Sequence, residues 1–188
     1  IGLPSYGTEE SLEIGKGEII GVAGLQGHGQ TDLIRALFGM YGEIKMEVDG
    51  NPVAIHNPRQ AVSHGFAFIS GDRERDGTFR ERNLSENISA VQELVKHQKI
   101  GDTREILDSF HVRYDNPKEL ITALSGGNQQ KVVVGRWLST SPRLLLADDP
   151  SKGIDVKARN DLHQEFAKLA EQGNAVIMIS SDDDELVN

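Results

Sequence analysis

In Gly24-Leu25-Gln26-Gly27-His28-Gly29-Gln30-Thr31, a stretch bounded by glycines is followed by an amide and a hydroxyl. Glycines at this spacing let successive backbone N–H groups turn inward as an anion nest, and a helix opening at Gln30 adds its positive end. The chemistry is phosphate binding, with Gly24, Gln26, Gly27, His28, Gly29, Gln30, Thr31 and Asp32 as candidate contacts. In the full pattern G-x-x-x-x-G-K-[ST] a lysine supplies a point charge to the phosphates; here Gln30 stands in its place. A loop that is glycine-rich only for close packing is the plainer alternative. Far along the chain, Asp148 and Asp149 end the apolar run Leu144-Leu145-Leu146-Ala147. Asp148 is placed to hold a divalent cation with Thr31 or through water, and Asp149 to orient or deprotonate a water. A helix-capping acidic turn is the alternative there. Between these, Ser125-Gly126-Gly127 within Leu124–Lys131 reads as a turn opening a helix, a second place that favours an anion. An ordinary helix cap, with Gln129, Gln130 and Lys131 merely solvating a surface, is the alternative.

Each of these groups needs an element to hold it. Ile19–Ala23 is an apolar lead-in of strand type, and Asp32–Phe38 continues as a helix, so the first loop lies between strand and helix. Ser11–Ile14 alternates as a strand before a turn at Gly15–Gly17, and Glu43–Gly50 alternates as a half-buried strand before a turn at Asp49–Pro52. Pro58–Ser63 suggests a short helix, and Phe66–Ile69 a buried strand ending at Ser70-Gly71-Asp72. From about 78 to 140 the pattern is helical and more polar. Ile88, Val91, Leu94 and Val95 share a face behind Ser85 as cap, and Asp102–Glu105 has capping-box spacing. Arg143–Asp148 is strand-like, then Leu162, Phe166, Leu169 and Ala170 mark a long amphipathic helix closed by Gly173. Ala175–Ile179 is a further buried strand. Continuous apolar strands separated by helices predict an α/β fold with a mostly parallel sheet covered on both faces. The expected organisation is one domain over 1–188, with a core of about 1–77 and 141–188 and a helical subdomain of about 78–140.

The chain has 188 residues, 37% of them hydrophobic and 26% charged, with a net charge of −9 and no cysteine. That composition is an ordinary globule able to bury a core. The acidic balance argues against non-specific nucleic-acid binding, and the missing cysteines exclude disulfides and thiolate metal sites. No apolar run reaches the length of a membrane span. Opening on Ile1 and ending at Asn188, the chain is expected to be an excised fragment. Asp182–Glu185 reads as a charged first helical turn without a function, and Trp137 as core.

Taken in order, the glycine loop, Leu124-Ser125-Gly126-Gly127-Asn128-Gln129-Gln130-Lys131, the strand ending in paired carboxylates and Gly153-Ile154-Asp155 resemble an ATP-binding cassette (ABC) domain over nearly the whole chain. With Asp72-Arg73-Glu74-Arg75-Asp76-Gly77, Gly153–Val156 and Ile179-Ser180-Ser181, the wording is similar to the second cassette of tandem-cassette monosaccharide importers. Nucleoside importers share that design. The resemblance implies a P-loop NTPase fold with an antiparallel β edge and a helical signature subdomain. It implies ATP and Mg²⁺ as ligands, the metal held by Thr31 and Asp148. Leu124, Ser125, Gly126, Gly127, Asn128 and Gln129 would be the signature lent to a partner's nucleotide, Asp155 the D-loop acid, and Asp149 and Ser181 the catalytic positions. It implies a second cassette and membrane permease subunits as partners, a solute-binding protein indirectly, and a place on the cytoplasmic face of the membrane. Tyr6 would be a loop tyrosine or stack on adenine.

The departures from that pattern converge on one nucleotide site. Gln30 lacks the lysine's charge, though an amide still donates to phosphate. Gly71 stands where a Q-loop Gln or Glu is usual, Asp149 where the catalytic Glu is usual, and Ser181 at the switch histidine. The expectation is a degenerate cassette that binds nucleotide weakly and lends its signature, with a competent ATPase half or a non-hydrolysing dimerisation scaffold as the rivals.

Overall fold

The computed structural model describes residues 12–24, 27–95, 101–182 and 185. Four strands, β1 (Ile19–Val22), β4 (Phe66–Ile69), β5 (Leu144–Asp148) and β6 (Ala175–Ile179), form one sheet in the order β1-β6-β5-β4. All of its pairings are parallel. Val22 and Asp148 both pair with Ile179, and Ile69 with Ala147. The carboxyl ends of all four strands therefore lie along one edge, and the loops that follow them emerge side by side. In a parallel sheet that edge is where ligands bind. Every residue of β4 and β5 is buried, as the continuous apolar runs require.

Parallel strands need crossovers, and helices supply them. They are α1 (Gln30–Leu37), α2 (Pro58–Ser63), α3 (Leu84–Ser89), α4 (Thr103–Ser109), α5 (Gly126–Leu138) and α6 (Val156–Glu171). α1 packs on β5 and β6, α5 on β4, and α6 on β6. A separate antiparallel ribbon joins β2 (Ile44–Val48) to β3 (Asn51–Ile55). The sequence pattern predicts only a turn where β3 begins. Pro52 hides the strand, and a two-stranded ribbon is the setting where a proline's missing donor is tolerated.

Two clusters form the core. The larger joins the sheet to α1, α2 and α6, with Phe38 stacked on Phe68 at 5.3 Å and edge-on to Trp137 at 6.2 Å. The smaller gathers Leu84, Ile88, Ile106, Leu107, Val112, Ile121, Leu124 and Val132. α5 serves both: Val132 faces the smaller cluster, Val133, Val134 and Trp137 the larger.

Several local expectations need correction. Leu12–Ile14 lies outside any strand, and Ser11 outside the described residues. α3 is capped by Asn83, not Ser85; Asn83 is extended, so its side chain can accept from Glu86 N while Glu86 bonds back. Ser85 sits inside the first turn. α3 also stops at Ser89, and Leu94 in the following 3₁₀ turn is exposed. The capping box Asp102/Glu105 forms as expected. Arg136 is 4% exposed, with no carboxylate partner among the described residues. It donates to Gly77 O at 2.7 Å and Asn87 O at 3.4 Å, lies over Phe79, and burial pushes its pKa down to about 10. Among the described residues no helix is long and apolar enough to cross a membrane.

Candidate nucleotide site and signature turn

Where β5 ends, Asp148 meets α1. Thr31 Oγ1 donates to Asp148 Oδ1 at 3.0 Å, bringing the loop hydroxyl and the first carboxylate together as the sequence predicts. Asp148 is 6% exposed, and burial pushes its pKa up; the Thr31 hydrogen bond and the charge of Arg35 offset that only in part. A buried carboxylate without a full counter-charge favours a cation, so the pair fits a divalent ion. Among the described residues no group of three or more acidic or histidine side chains surrounds it, so phosphate and water oxygens would complete the coordination, the habit of Mg²⁺.

α1 opens on Gly29, at φ 96°, which has no side chain to cap the helix. The first-turn amides of Thr31 and Asp32 are thereby kept for an incoming anion. The Asp32 carboxylate accepts from Tyr41 Oη at 2.7 Å, so what Asp32 can offer phosphate is its main chain. His28 is exposed. The Gln30 amide folds back over Gly24, into the space a side chain at position 24 would take. Gln26 and Tyr6 lie outside the described residues.

Asp149 follows Asp148 in a left-handed conformation, φ 47°, its N–H donating to Ile179 O at 2.8 Å. That turn aims its carboxylate across the edge to the segment after β6, where Oδ1 accepts from both Ser181 N and Ser181 Oγ at 3.0 Å. Two predicted catalytic positions, separated by most of a crossover, are thus in direct contact. Gly71 completes the group: a Cβ there would stand 3.0 Å from Asp148 O and 3.2 Å from Asp149 Cβ. The segment after β4 packs against the Asp148–Asp149 main chain and Asp149 Cβ at a distance only glycine allows without adjustment.

The signature turn is built apart from this edge. Ser125 is the exposed N-cap of α5, yet its hydroxyl does not cap; it accepts from Asn128 Nδ2 at 3.0 Å. Asn128 Oδ1 accepts from Arg113 N at 2.8 Å, and Gln129 donates to Leu124 O at 2.9 Å. Gln130 is 3% exposed and donates to Pro150 O at 2.6 Å, while Lys131 pairs with Asp161 at 2.7 Å. A merely solvated polar face does not describe these residues. A Cβ on Gly126 would sit 3.1 Å from Arg73 Nη2 and 3.5 Å from Gly153 O. Asp155 caps α6 through Ala158 N at 2.9 Å, and its Oδ2 lies 3.7 Å from the corresponding point on Gly127. Among the described residues no hydrogen bond or ion pair joins Gly27–Gly29, Thr31 or Asp32 to Leu124–Gln129.

The sequence reading missed two members of this region. Gln130 ties α5 to the loop carrying Asp149, and Glu185, which the sequence places in a charged first helical turn, is 5% exposed. Neither has a local signal, because Pro150, Ser151 and His163, which they bind, lie on other elements.

The fold and this edge define a nucleotide-binding α/β domain. The sequence profile of the ABC transporter family matches residues 8–152, and the chain belongs to that family. It is 41% identical over 182 residues to a ribose import ATP-binding protein of Geobacillus kaustophilus, which covers 92% of this chain and 37% of the relative. It is 37% identical to a galactose/methyl galactoside import ATP-binding protein of Shigella boydii, over 94% of this chain and 37% of the relative. The chain thus spans little more than a third of these relatives. A dimeric, post-hydrolysis ATP-binding cassette bound to ADP and phosphate shares the fold, with a TM-score of 0.74 at 20% identity over 93% of this chain and 79% of that one.

Proposed function

We propose that this chain is the second, C-terminal cassette of a tandem-cassette sugar importer, binding ATP weakly in its own site and lending its signature to the partner cassette. The observation that carries the reading is the separation of the intact signature turn from the altered phosphate edge. Relatives whose names include ribose and galactose import, each more than twice as long as this chain, support the sugar class and the tandem design. ATP phosphates would rest on the Gly24–Asp32 loop, and Mg²⁺, held by Thr31 and Asp148, would neutralise phosphate charge. Asp149 orients a water, and Ser181, which holds Asp149 in place, has no imidazole to contribute. With Gln30 in place of lysine and Gly71 offering no side chain, the site binds better than it turns over.

In the partner's site, Ser125 and the amides of Gly126 and Gly127 would meet the terminal phosphate, with Asp155 beside them. The working organisation is a core of about 1–77 and 141–188 and a helical subdomain of about 78–140, with α5 rooted in both. Partners are the other cassette, permease subunits and, through them, a solute-binding protein, at the cytoplasmic face of the membrane. The test compares ATP turnover by this chain alone and by the full-length protein. The chain alone should hydrolyse at background rate while Mg–ATP raises its melting temperature, since a ligand of the native state stabilises it. Robust hydrolysis abolished by Asp149→Asn would establish a competent half instead, and no rise in melting temperature would leave only a scaffold.

A further inference from the structure

Among the described residues only two acids are buried, Asp148 and Glu185. The Glu185 side chain is 0% exposed. Its Oε2 accepts from Ser151 Oγ at 2.7 Å and from Ser180 Oγ, and its Oε1 lies 2.6 Å from His163 Nε2. To an ionised Glu185, which only accepts, a protonated His163 Nε2 would donate. A carboxylate withdrawn from water is tolerable only when its oxygens are satisfied in this way, and charged acceptors make the stronger hydrogen bonds.

The three partners come from three elements: the loop after β5, the segment after β6, and α6. The first two are the segments that carry Asp149 and Ser181. They are therefore joined twice, in front by Ser181 on Asp149 Oδ1 and behind by Ser151 and Ser180 on Glu185. Local bonds stiffen each side: Asp182 N donates to Ser180 Oγ at 3.0 Å, Ile154 N to Ser151 O at 3.2 Å, and Lys152 N to Asp149 O at 3.1 Å. The sheet edge holds the two segments together only where Asp149 N donates to Ile179 O at 2.8 Å; beyond it, among the described residues, the rear connection runs through the Glu185 side chain.

We infer that Glu185 is a positioning residue, holding the loop after β5 and the segment after β6 in fixed relation so that Asp149 and Ser181 face the nucleotide as one unit. The inference rests on reading this edge as the terminal-phosphate end of a nucleotide site. Hydrogen exchange followed by peptide, on the full-length protein with and without Mg–ATP, tests it. Without nucleotide, Glu185→Gln should speed exchange about tenfold in residues 149–155 and 180–182 together, with the strands β5 and β6 unchanged. Ser151→Ala, which keeps the buried carboxylate, should loosen both segments by a smaller factor, and it decides alone if Glu185→Gln does not fold. Loosening confined to the altered residue's own segment overturns the inference.

With Mg–ATP, the wild type should gain protection at residues 27–34 and at 180–182. Glu185→Gln should keep the first and lose the second, a split that general weakening of the fold does not produce. Equal loss at both places overturns the inference. If Mg–ATP protects neither segment in the wild type, the nucleotide reading fails, and the nucleotide-free comparison still decides whether Glu185 joins the two segments.

Discussion

At the start of α1, Gly29 offers no cap, Gln30 folds back over Gly24, and the Asp32 carboxylate is held by Tyr41. At the start of α5, Ser125 stands exposed while Asn128, Gln129, Gln130 and Lys131 are all tied into the fold behind it. Both are glycine-led helix N-termini, and both favour an anion through the backbone. They differ in what the side chains add. A phosphate loop can lose its charge and keep its nest, because the nest is made by glycine geometry. A turn that must press on another molecule's phosphate needs an exposed hydroxyl and a stiff backing, and here both are present.

The largest effect expected from breaking this contrast is at Ser125. Ser125→Arg should lower ATP turnover of the full-length protein by on the order of a hundredfold, the scale of losing a preorganised donor. Unfolding measurements should find its stability within about 0.5 kcal/mol of wild type, since the position is exposed. Unchanged turnover would remove the functional half of the contrast. Next is the backing. Gln130→Leu strands Pro150 O in a buried place and should cost about 1–3 kcal/mol in denaturant unfolding.

On the phosphate side, Gln30→Lys restores the missing charge and should tighten Mg–ATP binding about tenfold by calorimetry, a charge-assisted bond replacing a neutral one. No gain would mean that charge is not what weakens the loop. The smallest effect concerns Asp148. Burial raises its pKa in the folded chain, so the folded state holds this proton more tightly than the unfolded state. That share of stability is complete below the ordinary value of 3.8 and is lost as pH rises through the folded value. Asp148→Asn should therefore stabilise the chain by up to about 1 kcal/mol at pH 7 and not at pH 3, followed by thermal melts, while weakening Mg–ATP binding.

The strands were legible because β4, β5 and β6 are continuous apolar runs, and the pairing of Thr31 with Asp148 was legible because both lie in motifs of fixed spacing. The β3 strand was not, since Pro52 breaks the alternation that marks a half-buried strand. Asn83 is no better a cap in the sequence than Ser85, two residues on, since both offer a good oxygen and only the backbone conformation separates them. Glu185 and Arg136 were invisible for a different reason. A charged side chain reads as surface unless its partners are known, and Ser151 and His163 lie 34 and 22 residues from Glu185. Burial of a polar group is a tertiary fact with no local pattern.

Because α5 is rooted beneath the sheet at Trp137 and exposed at Ser125, it is a lever arm with its fulcrum in the core. At ~1.5 Å per residue the arm is roughly 18 Å long, so a tilt of ~10° carries the tip about 3 Å, the length of one hydrogen bond. Gln130 clamps that arm to Pro150 one turn from the tip. A stroke of the tip would drag the loop that bears Asp149, so in the proposed pairing leverage applied at the partner's nucleotide would be felt mechanically at this chain's own.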